Sequence, residues 1–200
     1  MNPVHEAVFP PAPIRREEAL RYAMQPRRAG APDIPQMEAC IRMAEGRITC
    51  RAVWREFPVS WEKERLDLGF ARTASAGLMR HLKGCGRVIL FAATAGMDMD
   101  RLIRRAGALS ALHGLCMHAV GAAIIEEACD RLCAQLADEY PEALLRPRFS
   151  PGYGDLPLAM QTDVFRALDC EKRLGLTLTD TLLMQPSKSV TALVGIAEKG

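Results

Sequence analysis

No stretch of this sequence approaches the roughly 18 to 20 consecutive apolar residues that a membrane-crossing helix needs, although apolar residues fill 49% of its 200 positions. The first 13 residues lack a charged segment followed by an apolar core, so they do not read as a secretory signal. Charge of one sign is missing too. The net charge is +2, and basic residues are scattered among acidic ones, which removes the electrostatic footprint of a nucleic-acid-binding face. There is no catalytic triad, Walker loop, dinucleotide fingerprint or His-Glu-x-x-His helix. Seven cysteines are an odd number and contain no Cys-x-x-Cys pair. They read as reduced, buried thiols of a cytoplasmic protein. Cys129 and Cys133 stand four apart on a helical pattern, but a metal site there needs further ligands that sequence does not place.

What is present is an ordinary globular composition, with 25% charged residues and enough length for one domain with a substantial core. Residues 1–13 hold four prolines and read as an irregular lead-in. Residues 14–200 read as one domain. Helical patterns cover Ile14 to Met24, Asp33 (as N-cap) to Gly46, Ser75 to Lys83, a segment capped by Asp98 or Asp100 that runs to Leu109, Ala111 to Glu139, and Leu158 to Arg173. Thr49 to Val59 and Leu66 to Leu68 read as strands. Val88 to Ala93 is a compact apolar run, expected to be a strand buried on both faces. Leu176 to Ile196 reads as two strands joined by a hairpin at Pro186-Ser187-Lys188. Strands and helices alternate without a βαβ rhythm. The expected fold class is therefore α+β: a twisted, mostly antiparallel sheet with a long buried central helix and flanking helices.

Chemistry concentrates in one loop, Arg148-Phe149-Ser150-Pro151-Gly152-Tyr153-Gly154-Asp155-Leu156-Pro157. Proline fixes φ and glycine allows positive φ, so this connection is stiff and sharply shaped. It is either a structural turn or a ligand cradle. As a cradle, the Arg148 guanidinium suits bidentate capture of a carboxylate, and the Tyr153 ring can stack on a base or lie beside a cation, demands that fit an amino-acid-like or nucleoside-like ligand. Glu126 and Glu127 follow the small apolar run Ala119 to Ile125. Adjacent helical residues diverge by about 100°, so either both are solvated or one of them faces a ligand. His81, His113 and His118 lie on helical patterns. His118 heads the apolar run and is the most interesting of the four histidines.

Arg148-x-x-x-Gly152-Tyr153 with Pro157, then Leu168-Asp169-x-Glu171-Lys172-x-x-Gly175-Leu176-x-Leu178-Thr179-Asp180, then Met184-x-Pro186-x-x-Ser189-Val190, resemble the C-terminal activation domain of cobalamin-dependent methionine synthase. Asp100 to Arg105 and His118 to Glu126 are similar to stretches of its short stand-alone relatives. The resemblance implies binding of S-adenosylmethionine. Arg148 would hold its carboxylate, the backbone at Ser150 and Gly152 would meet the adenosine, Tyr153 would lie beside it, and Glu126 would contact the ligand. The family's Pro-Ala-Cys-Pro after the tyrosine is Gly154-Asp155-Leu156-Pro157 here. The chain carries no cobalamin-binding pattern of its own, so cobalamin is expected only through a partner. That partner would be a methionine synthase lacking this domain, with a flavodoxin-like protein as electron donor. The expected role is support of reductive methylation of cob(II)alamin, at most as an accessory to a methyltransferase. The alternatives are a non-catalytic docking module and an activator of another corrinoid protein.

Overall fold

The computed structural model describes residues 2–23 and 35–199. The elements in chain order are β1 (His5–Phe9), α1 (Arg16–Ala23), α2 (Pro35–Ala44), β2 (Cys50–Pro58), β3 (Ser60–Glu62), β4 (Arg65–Asp67), β5 (Arg72–Thr73), α3 (Ala76–His81), β6 (Cys85–Thr94), α4 (Gly96–Leu109), α5 (Ala111–Glu139), β7 (Ala143–Leu145), α6 (Gln161–Leu168), α7 (Cys170–Leu174), β8 (Thr177–Leu178), β9 (Met184–Gln185) and β10 (Ser189–Glu198). A short 3-10 turn, Leu158–Met160, leads into α6.

The principal sheet runs β1-β2-β6-β10-β7, with every neighbouring pair antiparallel. Its central strand, β6, is apolar on both faces, as the Val88 to Ala93 run implies. Ile89, Phe91 and Ala93 join one core with residues of α1, α2, α4 and α5. Val88, Leu90 and Ala92 join a second core with residues of α3, α6 and α7. The sheet is therefore sandwiched between two helical layers, and the fold is α+β. Alternation carries this: period-two side chains on a strand feed opposite faces, so a strand with no polar alternate needs cover on both. The long helix α5 keeps the predicted bounds and buries Val120, Ala123, Ile125 and Leu132 in the first core. It meets α4 closely, since a Cβ on Gly114 would come within 3.2 Å of the Gly107 Cα.

Several expectations are corrected. Residues 1–13 are not simply an irregular lead-in, because His5–Phe9 pairs with β2 in register from His5 opposite Trp54 to Phe9 opposite Cys50. Pro3 and Pro10 lie outside this short edge strand rather than within it, which is where prolines are tolerated. Asp98 and Asp100 do not cap α4; its N-cap position is Ala95, and both acids lie inside the helix. The helix expected from Leu158 to Arg173 breaks at Asp169, which adopts the left-handed conformation (φ 54°) and separates α6 from α7. Pro186 to Lys188 is not a hairpin turn. β9 pairs with β8, whereas β10 pairs with β6 and β7. Alternate residues of β10 are apolar on both faces, so it belongs in the middle of the sheet rather than in a surface ribbon. The proposed N-cap Asp33 lies outside the described residues.

Candidate functional site

The loop after β7 is held in place from both ends. The Phe149 N–H donates to the Leu193 carbonyl at 2.9 Å, and the Leu193 N–H returns a bond to Phe149 at 2.8 Å. This bridge to β10 sends Phe149 into the second core and leaves Arg148 pointing toward α5. Within the turn, the Tyr153 N–H reaches the Ser150 carbonyl at 3.0 Å, and the Gly152 N–H reaches the Leu156 carbonyl at 2.9 Å. Gly152 has φ +89° and Gly154 φ +54°, a region that favours glycine. Asp155 staples the turn to the start of α3. Its carboxylate accepts from the Ser75 hydroxyl at 2.5 Å, the Ala76 N–H at 2.6 Å and the Gly77 N–H at 3.0 Å. Those bonds, led by the one from Ser75, hold its carboxyl below the usual carboxylate range.

A cavity of about 470 Å³ opens between this loop, α5 and β10, and its wall includes Glu126, Arg148, Ser150, Tyr153, Gln161 and Thr191. That size falls in the range of small-ligand sites, about 300–1,000 Å³. Four of the five sequence-predicted site residues thus meet at one opening. The fifth, Gly152, does not line it; a Cβ there would instead approach Leu158 at 3.4 Å. Its importance lies in the turn that positions Tyr153. The Tyr153 ring is 61% exposed and stands edge-on to Phe149, with centroids 6.1 Å apart.

Glu126 and Glu127 diverge as adjacent helical residues must. Glu127 pairs with Arg15 at 2.9 Å, and Glu126 pairs with Arg148 at 2.9 Å. One turn further along α5, Asp130 reaches the same Arg148 nitrogen, Nη2, at 2.8 Å. The arginine is three-quarters buried (side chain 25% exposed). Burial works against its charge, but Cys129, Glu126 and Asp130 beside it more than offset this and raise its pKa above the usual value. Arg148 and Glu126 also border a second, smaller cavity of about 100 Å³ beneath Phe9 to Ile14; Asp130 borders only that one.

Sequence reasoning missed Asp130, Gln161 and Thr191. Gln161 is 4% exposed and accepts from the Thr191 hydroxyl at 2.8 Å, forming a satisfied polar floor. Met184, Ser189 and Val190, quoted above as a motif without a role, lie in the cavity wall. The spacing of Glu126 and Asp130, four apart on one helix, was the available signal for Asp130.

The histidines lie elsewhere. His5 stacks on Trp54 at 5.4 Å in the edge strand, which corrects its expected place in an irregular segment. The His81 ring bonds the Pro147 carbonyl through Nε2 at 2.7 Å. His118 stands two turns into α5 with its surface largely open, and partial desolvation, then the Lys188 charge, lowers its pKa. All seven cysteines are free. Burial pushes the Cys40 and Cys50 thiols up to about 11 and Cys170 to about 12, so they stay protonated and unreactive. Among the described residues no group of three or more His, Cys, Asp or Glu side chains could hold a metal ion. No described helix is long and apolar enough to cross a membrane.

No protein-family model matches the chain, and no curated protein matches it in sequence. In structure it is similar to the MetH reactivation domain bound to AdoHcy. The TM-score is 0.68 at 17% identity, over 99% of this chain and 79% of that one. The likeness shows a shared fold, the one that the motif resemblance implied.

Proposed function

We propose that the chain is an S-adenosylmethionine-binding reactivation partner for a separate cobalamin-bearing protein, a methionine synthase lacking this domain. The observation that supports it is the meeting of Arg148, Glu126, Ser150 and Tyr153 at one cavity in a fold shared with a domain solved with AdoHcy. The donor set fits such a ligand. A planar, permanently charged guanidinium matches a carboxylate, a half-buried carboxylate matches an ammonium, and an exposed ring beside a rigid turn offers a face to a purine.

When bound, S-adenosylmethionine supplies a sulfonium methyl group. The chain's own part is binding and orientation. Arg148 takes the ligand's carboxylate and Glu126 its ammonium. The backbone at Ser150 meets the adenosine, and the Gly152 turn sets Tyr153 against it. The cobalt chemistry belongs to the partner protein, and the electron arrives from a flavodoxin-like donor. Titration calorimetry with S-adenosylmethionine, with and without the corrinoid protein, tests this directly. Binding is expected, and no heat in either arrangement overturns it. Arg148→Ala removes a charge-assisted pair of about 1.5–3 kcal/mol, so it should weaken binding roughly 10- to 150-fold. Glu126→Gln should weaken it less.

One observation favours a second reading. Arg148 is already satisfied by two carboxylates of its own chain, as a structural ion pair would be. On that reading the domain docks on a corrinoid protein, of methionine synthase or another system, without using the cavity. Co-purification with the corrinoid protein that is insensitive to S-adenosylmethionine would support it.

A further inference from the structure

Two carboxylates on one arginine leave the cluster of Arg148, Glu126 and Asp130 with an excess negative charge. A ligand carboxylate approaching Arg148 therefore meets a cation that is already occupied. Both acids are held through the same nitrogen, Nη2, at 2.9 Å for Glu126 and 2.8 Å for Asp130. A bidentate grip on an incoming carboxylate uses two parallel N–H bonds, so at least one resident carboxylate has to yield.

The two are not equivalent. Glu126 lines the larger cavity and its side chain is 35% exposed. Asp130 is absent from that wall, borders only the smaller cavity behind Arg148, and is 61% exposed. Releasing Asp130 returns a carboxylate to water at little cost, because exposed ion pairs are weak. Releasing Glu126 would strip the larger cavity of its own acid.

Resting on the reading that this cavity takes an S-adenosyl amino acid, we propose that Asp130 is its specificity-setting residue: an internal carboxylate that holds Arg148 in the free protein and is displaced by the ligand's own. Asp130 then acts as a threshold. It penalises every ligand that must take Arg148 and leaves untouched those that use only the adenosine side.

Asp130→Asn keeps the size of the side chain and removes its charge. With calorimetry, S-adenosylhomocysteine should bind the variant about two- to fivefold more tightly than wild type, the size of one exposed ion pair. The probe 5′-methylthioadenosine, which has neither carboxylate nor ammonium, should bind both proteins equally. A thermal melt of each protein reports whether the fold is retained. Unchanged or weaker S-adenosylhomocysteine binding by a folded variant overturns the inference while leaving the ligand reading in place. Equal tightening for both probes overturns it too, since the effect would not pass through Arg148. If neither protein binds either nucleoside, the ligand reading falls and takes this inference with it.

Discussion

At the scale of the residue, the site depends on side chains that do no binding. Asp155 is the clearest. It is exposed, yet it accepts three hydrogen bonds from Ser75, Ala76 and Gly77 and so fixes the turn that presents Tyr153. A Cβ on Gly77 would come within 2.7 Å of the Asp155 carboxylate, so the close approach depends on that glycine. Asp155→Ala should lower the melting temperature and speed proteolysis within residues 150–158. A variant that melts and resists protease like wild type would show that the bridge to Leu193 alone holds the loop. The pH dependence follows from the lowered carboxyl pKa, caused first by the Ser75 hydroxyl. A depressed folded-state pKa gives stability that is present above the ordinary carboxylate value and is lost as pH falls through the folded one. Wild type should therefore lose loop protection in that acid window, and the alanine variant should show a flatter profile there. Arg148, Ser150, Tyr153 and Glu126 were legible in the sequence because each carries its chemistry in its type: a fork, a stiff turn, a ring, an acid after an apolar helical run. Asp155 looked only like a departure from a motif, since its partners lie about 80 residues upstream. Gln161 and Thr191 were silent because an interior glutamine and a strand threonine acquire meaning only when α6 and β10 meet.

At the scale of the element, the contact between α5 and the chain before β10 is the tightest statement of why small residues fill the helix. A Cβ on Gly121 would meet the Lys188 stem at 3.0 and 3.2 Å and the Met99 methyl at 3.2 Å. Lys188 lies across that glycine half-buried, and burial lowers its pKa. Gly121→Leu should therefore overpack this crossing and cost about 1–3 kcal/mol in a denaturant titration. An unchanged midpoint would mean that the Lys188 stem swings into solvent freely. The long helix, the doubly buried β6 and the short α3 were legible because their patterns are strong and local. Ser75 caps α3, its hydroxyl accepting from the Leu78 N–H at 3.0 Å. The failures share a physical origin. β1 and β7 are short strands whose existence depends on a partner, since His5–Phe9 and Ala143–Leu145 contain too few residues for a period to declare itself. The break at Asp169 and the pairing of β9 with β8 are decided by tertiary cover, which overrides a continuous helical pattern or an apparent hairpin.

At the scale of the whole molecule, the edge strand β1 reaches both helical layers at the far margin of the sheet. It pairs with β2 along all five of its residues. Glu6 pairs with Arg173 of α7 in one helical layer. Phe9 lies 5.2 Å beneath the Arg131 guanidinium of α5 in the other. Arg131 also donates to the Pro10 carbonyl at 3.0 Å, so the segment after β1 closes the small cavity behind Arg148. Removing residues 2–9 should thus do more than trim an end. It would strip the ladder from β2, lift His5 from Trp54, and expose an indole that is now 5% accessible. Uncovering one such core aromatic costs about 1.5–3 kcal/mol. The truncated protein should melt at a lower temperature, and iodide should quench its tryptophan emission more strongly. Trp61 is already 47% exposed, so it contributes the wild-type quenching and the increment reports Trp54. If melting and quenching both match wild type, β1 is an ornament on the sheet edge and the core closes without it. If both change together, the proline-rich start of this chain is part of the domain and its two helical layers are coupled through it.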